Sequence, residues 1–99
     1  MNVILENYQE VLDRLAQEKQ DRIQLLIEEA AAEKYEKVAE LKASFDFMIK
    51  RLDSQKQKDK ADAKRQQKDE EVRQLLEQME ATKKERIEAI NLEYEERKR

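Results

Sequence analysis

The sequence predicts an all-α protein: either one long coiled-coil helix or a two-helix antiparallel hairpin, in each case associating with a second helical chain. Three observations predict it. The 99 residues include no glycine and no proline, the residues that let a backbone turn sharply or fix a loop; sandwiches, barrels and βαβ units are therefore disfavoured. Charged residues make up 45% of the chain, and the residues that dominate it (Glu, Lys, Arg, Gln, Leu, Ala) lose least on entering a helix. Finally, the large apolar residues recur at spacings of three and four, the repeat of one helix face.

The first apolar run holds Leu5, Tyr8, Leu12 and Leu15. Asn2 suits a helix N-cap, and Glu6 lies near the positive end of the helix dipole. Val3, Ile4 and Val11 widen this stripe beyond what a dimer seam needs, so residues 3–16 read as an arm that docks on a partner. Residues 17–22 then contribute nothing apolar. The stripe resumes with Ile23, Ile27, Ala31, Val38, Leu41, Phe45, Met48, Ile49 and Leu52, and includes two successive steps of three at Tyr35–Val38–Leu41. From 53 to 71 only Ala61 and Ala63 are apolar. The last stripe comprises Val72, Leu75, Leu76, Met79, Ile87, Ile90 and Tyr94, followed by a basic end, Arg97-Lys98-Arg99, that suits a helix C-terminus. The pattern resembles a coiled coil without strict heptads. The whole chain, 1–99, reads as a single helical unit, with stripes at 3–52 and 72–94 and the charged segment 53–71 as spacer or bend.

One unbroken helix of this length would extend about 150 Å and could not bury its stripes alone. Ten of the apolar residues are alanines, which leaves 28 large apolar side chains, too few for a normal core in an isolated small domain. A fold-back has a candidate start at Ser54-Gln55-Lys56-Gln57, which has capping-box spacing directly after Leu52. Thr82-Lys83-Lys84-Glu85 matches as well but interrupts the last stripe. Reflection about residue 62 superposes 30–52 on 72–94, so a hairpin centred there would bring the two richest stripes together.

Composition excludes most site chemistry. With no histidine and no cysteine, the usual zinc, haem and iron–sulfur ligands are missing, as are Ser-His and Cys-His nucleophile pairs. Without glycine there is no phosphate-binding loop. Carboxylate pairs such as Glu28-Glu29 and Glu95-Glu96 would need a desolvated pocket to separate their acid and base roles, which slender helices do not offer. No catalytic residue, metal site, cofactor or small-molecule substrate is expected. No apolar run is long enough to span a membrane, and the N-terminus has no basic and apolar secretory pattern; the expected location is the cytoplasm.

Three groups of residues are candidates for function. An oligomerisation stripe comprises Ile23, Ile27, Val38, Leu41, Phe45, Met48, Leu52, Val72, Leu76, Met79, Ile87, Ile90 and Tyr94; Lys34 and Lys83 interrupt it, either fixing register or lying at its edge. Candidate partner contacts are Leu5, Tyr8, Leu12, Leu25 and Phe47. Of these, Leu25 and Phe47 fall opposite the stripe with Ala32, Ala39 and Ala43, where small residues admit a neighbouring helix. The rival reading is alanines chosen for helix propensity and one exposed aromatic, and Glu29, Glu36 and Glu40 on that side favour it. A basic row, Lys56, Lys60, Lys64 and Lys68, gives 56–68 six basic and two acidic residues in a chain of net charge −3. It could hold phosphates, or it could be a solvated spacer balanced by Asp53, Asp59, Asp62 and Asp69.

The expected function is a non-enzymatic protein–protein interaction module, a coiled-coil scaffold, adaptor or steric inhibitor acting through helix–helix contacts with a protein partner or itself. Nucleic-acid or phosphate binding through Lys56 to Lys68 is the first alternative, and a purely architectural self-assembling rod the second. No motif selects a family.

Overall fold

The computed structural model describes the backbone of residues 2–98 and the side chains of residues 7–98. Two helices account for almost all of it: α1, Asn2–Ser54, of 53 residues, and α2, Lys58–Arg97, of 40 residues. They run antiparallel as a hairpin, so the single continuous helix is set aside. Residues 3–6 of the expected N-terminal arm, Leu5 included, lie outside the described side chains.

The chain turns at 55–57 without glycine. Lys56 takes the left-handed conformation at φ 60°. The Gln57 amide donates to the Leu52 carbonyl at 2.9 Å, and the Lys56 amide to the Asp53 carbonyl at 3.0 Å. Those two bonds make a Schellman motif, with lysine where glycine usually stands. Gln57 then acts as the N-cap of α2, its carbonyl accepting from the Ala61 amide at 3.0 Å. This corrects the capping-box expectation. Ser54 ends α1, and its hydroxyl bonds back to the Lys50 and Arg51 carbonyls at 3.1 and 3.0 Å. A left-handed non-glycine residue costs about 1–2 kcal/mol, whereas glycine there loses some of that advantage through its freer unfolded chain. Lys56→Gly is therefore expected to raise stability by about 0.5–1 kcal/mol net, read as a higher urea midpoint by circular dichroism at 222 nm. A lower midpoint would contradict the turn geometry.

Contacts divide the chain into two units: Ala30–Ala81, which contains the turn, and Met1–Glu29 with Thr82–Arg99. In the first, Phe45, Ile49 and Ala61 form the buried cluster, with Leu41 and Leu52 packed against it. Ala61 is 0% exposed; a methyl group at this point lets α2 approach the Phe45 ring closely. From there the inward positions of α2 advance by three and four through Lys64, Lys68, Glu71, Leu75 and Met79, all half-buried. Lysine stems thus cover apolar surface where the sequence supplies no apolar residue. Lys68 reaches Asp46 at 2.6 Å, and Arg65 reaches Asp53 at 2.6 Å. Such partly exposed pairs contribute about 0–1 kcal/mol each, so they set register more than stability.

In the second unit, Leu12, Leu15, Lys19, Ile23 and Leu26 of α1 are half-buried, as are Ile87 and Ile90 of α2, and Tyr94 is buried. Glu18 pairs with Arg97 and Arg22 with Glu93. The polar residues 17–22 that interrupt the apolar stripe are therefore where cross-helix ion pairs form.

In each unit the cross-helix pairs centre on residues 57–59, not on 62. The reflection matched lengths of apolar stripe, but register follows from the turn. α1 ends two residues after the half-buried Leu52, and α2 packs on α1 from Ala61 and the lysine stems onward rather than only from Val72.

Candidate interaction surfaces

Folding the hairpin uses much of the predicted oligomerisation stripe. Phe45 and Tyr94 are buried, and Ile23, Val38, Leu41, Leu52, Val72, Leu76, Met79, Ile87 and Ile90 are half-buried; Ile27 and Met48 remain at its exposed edge.

Large apolar residues left in solvent are unevenly distributed. Among the described residues, α1 exposes Tyr8, Val11, Leu25, Ile27, Tyr35, Phe47 and Met48, whereas α2 exposes Leu92 alone. Phe47 is 70% exposed and Leu25 55%. Of the other proposed contacts, Tyr8 is exposed and Leu12 half-buried.

A second feature lies wholly within Ala30–Ala81. From Leu12 to Leu52 a buried or half-buried residue recurs along α1 every three or four positions, except between Ala30 and Val38. All seven residues from 31 to 37 are exposed. Lys34 occupies the position where the next inward residue is due. Here an open groove of about 520 Å³ is lined by Ala31, Lys34, Tyr35, Val38, Ala39 and Lys42, with Leu76 from α2. Tyr35 is 81% exposed at its edge. Sequence reasoning did not single out Tyr35. The two steps of three at Tyr35–Val38–Leu41 were the available signal, since six residues carry a side chain about 120° around the helix from the seam.

The basic row does not form one exposed face. Lys56 sits in the turn, Lys60 is exposed on α2, Lys64 is half-buried beside Gln67, and Lys68 is paired with Asp46. Lys83 is half-buried.

Around Tyr94 a polar cluster links the two helices. The ring lies between two guanidinium groups, with Arg97 4.8 Å and Arg22 5.6 Å from its centroid. Arg22 donates to Glu93 at 2.9 Å; Arg97 donates to Glu93 at 3.0 Å and to Glu18 at 3.4 Å. The Tyr94 hydroxyl, and after it Glu93, raise the pKa of Arg22 above its ordinary value. A guanidinium is already charged at any working pH, so this changes no protonation state. Although close enough to exert that influence, the Tyr94 hydroxyl is buried without a hydrogen bond of acceptable geometry. Elsewhere, hydrogen bonds and charge from Arg73 hold the Glu70 carboxyl below the usual carboxylate range. The resulting stabilisation is present above the unfolded pKa and is lost as pH falls through the folded one.

Among the described residues, no group of three or more Asp or Glu could hold a metal ion, and no helix is long and apolar enough to cross a membrane. No protein-family model matches the chain, and neither a curated protein nor a solved structure resembles it significantly.

Proposed function

We propose that the chain is a non-enzymatic interaction module, a scaffold, adaptor or steric inhibitor of the cytoplasm, that binds a protein partner through large apolar residues that α1 leaves exposed. The observation that carries this reading is the asymmetry between the helices: seven exposed large apolar residues on α1 against one on α2 among the described residues. If exposure were merely incidental to a two-helix fold, both helices would share it. Here α2 braces with alanine, lysine stems and ion pairs, and α1 carries surface that folding does not use. Exposed aromatic anchors of the Phe47 kind are where binding energy concentrates, and an amphipathic helix laid against another is a common recognition mode.

The test compares the wild type with Leu25→Asp/Phe47→Asp as bait in source lysate at about 0.15 M salt, near physiological ionic strength, with and without nuclease. Both positions are exposed, so melting temperatures are expected to agree closely. A stoichiometric protein retained by the wild type after nuclease, and lost by the variant, is the expected result. Retention by both would remove Leu25 and Phe47 from the reading. Loss of all bound material on nuclease treatment would replace it with nucleic-acid binding.

A further inference from the structure

We infer that the groove between Ala31 and Lys42 receives an acidic amphipathic helix from a different protein, one whose apolar stripe is flanked by carboxylates about two turns apart. This rests on the helix–helix reading and adds the place and the chemistry of the partner.

Along α1 the inward residue is missing at one place only between Leu12 and Leu52, and there Lys34 stands exposed. The floor consists of Ala31, Val38 and Ala39 of α1 and Leu76 of α2. Two of these are alanines, which allow a helix backbone to come close, and Val38 and Leu76 give it apolar surface. Tyr35 forms a wall that is large, rigid and inexpensive in conformational entropy to immobilise. The lining from 31 to 42 rises about 16 Å along the helix, enough for three turns of a ligand helix. An open trough of this form cannot enclose most of a small molecule, as small-molecule sites do.

Charge decides which helix fits. Lys34 and Lys42 lie eight residues apart, about 12 Å along the axis, and both line the groove. Among the described residues neither makes an ion pair, whereas Lys37 on the same stretch is held by Glu33 at 3.0 Å. Glu36 and Glu40 point away from this side by helical spacing. The groove is therefore a local basic site on a chain of net charge −3. A second copy fits poorly. A two-fold contact makes the same patch face itself, so an antiparallel copy centred on Val38 sets Lys34 against Lys42, and a parallel one sets each lysine against its own counterpart. In a two-fold contact, therefore, the carboxylates must come from another sequence.

The test uses three fluorescein-labelled synthetic peptides of about three heptads. The first has leucine at a and d with glutamate at e and g; the second replaces each glutamate by lysine; the third keeps the glutamates and replaces leucine by serine. Titrated by anisotropy against the full chain, the Glu/Leu peptide is expected to bind at least about tenfold more tightly than the other two. Lys34→Glu/Lys42→Glu is expected to reverse the preference to the lysine peptide. Its helicity and melting temperature should match the wild type, because both sites are exposed. Val38→Ser is expected to weaken the Glu/Leu peptide without changing the sign of the preference. Equal binding of the glutamate and lysine peptides, or an acidic preference that survives the charge reversal, would overturn the proposal. So would equal binding of the serine peptide, which would reduce the site to nonspecific ion attraction. Sedimentation showing a wild-type dimer that Tyr35→Glu dissociates would overturn it in favour of a second copy. Failure of the groove in these assays leaves the Leu25/Phe47 comparison in lysate standing, so the two readings fail separately.

Discussion

Tyr94→Phe is expected to be at least as stable as the wild type, whereas Tyr94→Ala is expected to lose about 3–5 kcal/mol. The ring is 1% exposed and fills the space between the two helices where Arg22 and Arg97 approach its faces. Truncation to alanine removes both the buried area and the surface on which the two guanidinium groups rest. The hydroxyl stands differently. It is buried with no bond of acceptable geometry, and a polar group held in that way costs about 1–3 kcal/mol in lost hydration. Phenylalanine removes that cost and keeps the ring quadrupole. Tyr94→Leu separates the remaining contributions: it keeps most of the apolar area but has no aromatic face, and an intermediate loss of about 1 kcal/mol is expected. Urea unfolding followed at 222 nm gives all three values, provided the slopes agree. A Phe variant that loses more than about 1 kcal/mol would show that the hydroxyl is bonded after all.

The helical class was legible because it depends on composition, which is uniform along the chain, and on the apolar period, which three separate stripes repeat. The place of the turn was legible only as a region. Residues 53–71 contain it, but the sequence offers no glycine, proline or asparagine there, and Lys56 in the left-handed region cannot be distinguished from any other lysine beforehand. Register was misjudged for a related reason. Counting only apolar residues made 53–71 look inert, although Ala61, Lys64, Lys68 and Glu71 continue the three-and-four spacing inward. Long charged side chains with burying stems are invisible to a binary pattern. The exposure of Leu25 and Phe47 follows from their angle on the helix and was readable. The groove was not, since it arises from what α2 leaves uncovered rather than from anything Ala31, Tyr35 or Ala39 shows alone.

The two helices also divide their work in a way that composition conceals. Charge is abundant on both, yet α2 uses Lys68, Arg65 and Glu93 to grip α1, so much of its polarity serves the fold. On α1 the polar residues alternate with exposed aromatics and aliphatics. A chain with few large apolar residues therefore holds itself together with Tyr94, the Phe45 cluster, half-buried apolar residues on both helices and lysine stems, uses its ion pairs to set register, and leaves bulky side chains in solvent. Such an arrangement sacrifices stability unless the exposed groups are covered by something else.

Two phenylalanines two residues apart divide these roles most sharply. Phe45→Ala is expected to cost about 3–4 kcal/mol, and Phe47→Ala less than about 0.5 kcal/mol. Successive side chains on a helix diverge by about 100°, so Phe45 and Phe47 point to opposite sides of α1: one is 4% exposed, the other 70%. Phe45 is the largest member of a cluster whose other buried members are Ile49 and Ala61. Alanine at 45 would leave Ile49 and the half-buried Leu41 and Leu52 without their central partner, next to an Ala61 too small to fill the gap. The loss is placed toward the lower end of the range for buried aromatics because half-buried neighbours allow the space to collapse. Small domains have about 5–15 kcal/mol in all, so Phe45→Ala should show partial unfolding near physiological temperature while Phe47→Ala melts with the wild type. Binding is expected to show the reverse order: Phe47→Ala loses the partner while fully folded, and Phe45→Ala loses it only as the helix content falls. Comparable destabilisation by both would mean that Phe47 already packs within the fold, and the surface assigned to partner binding would then belong to the hairpin itself.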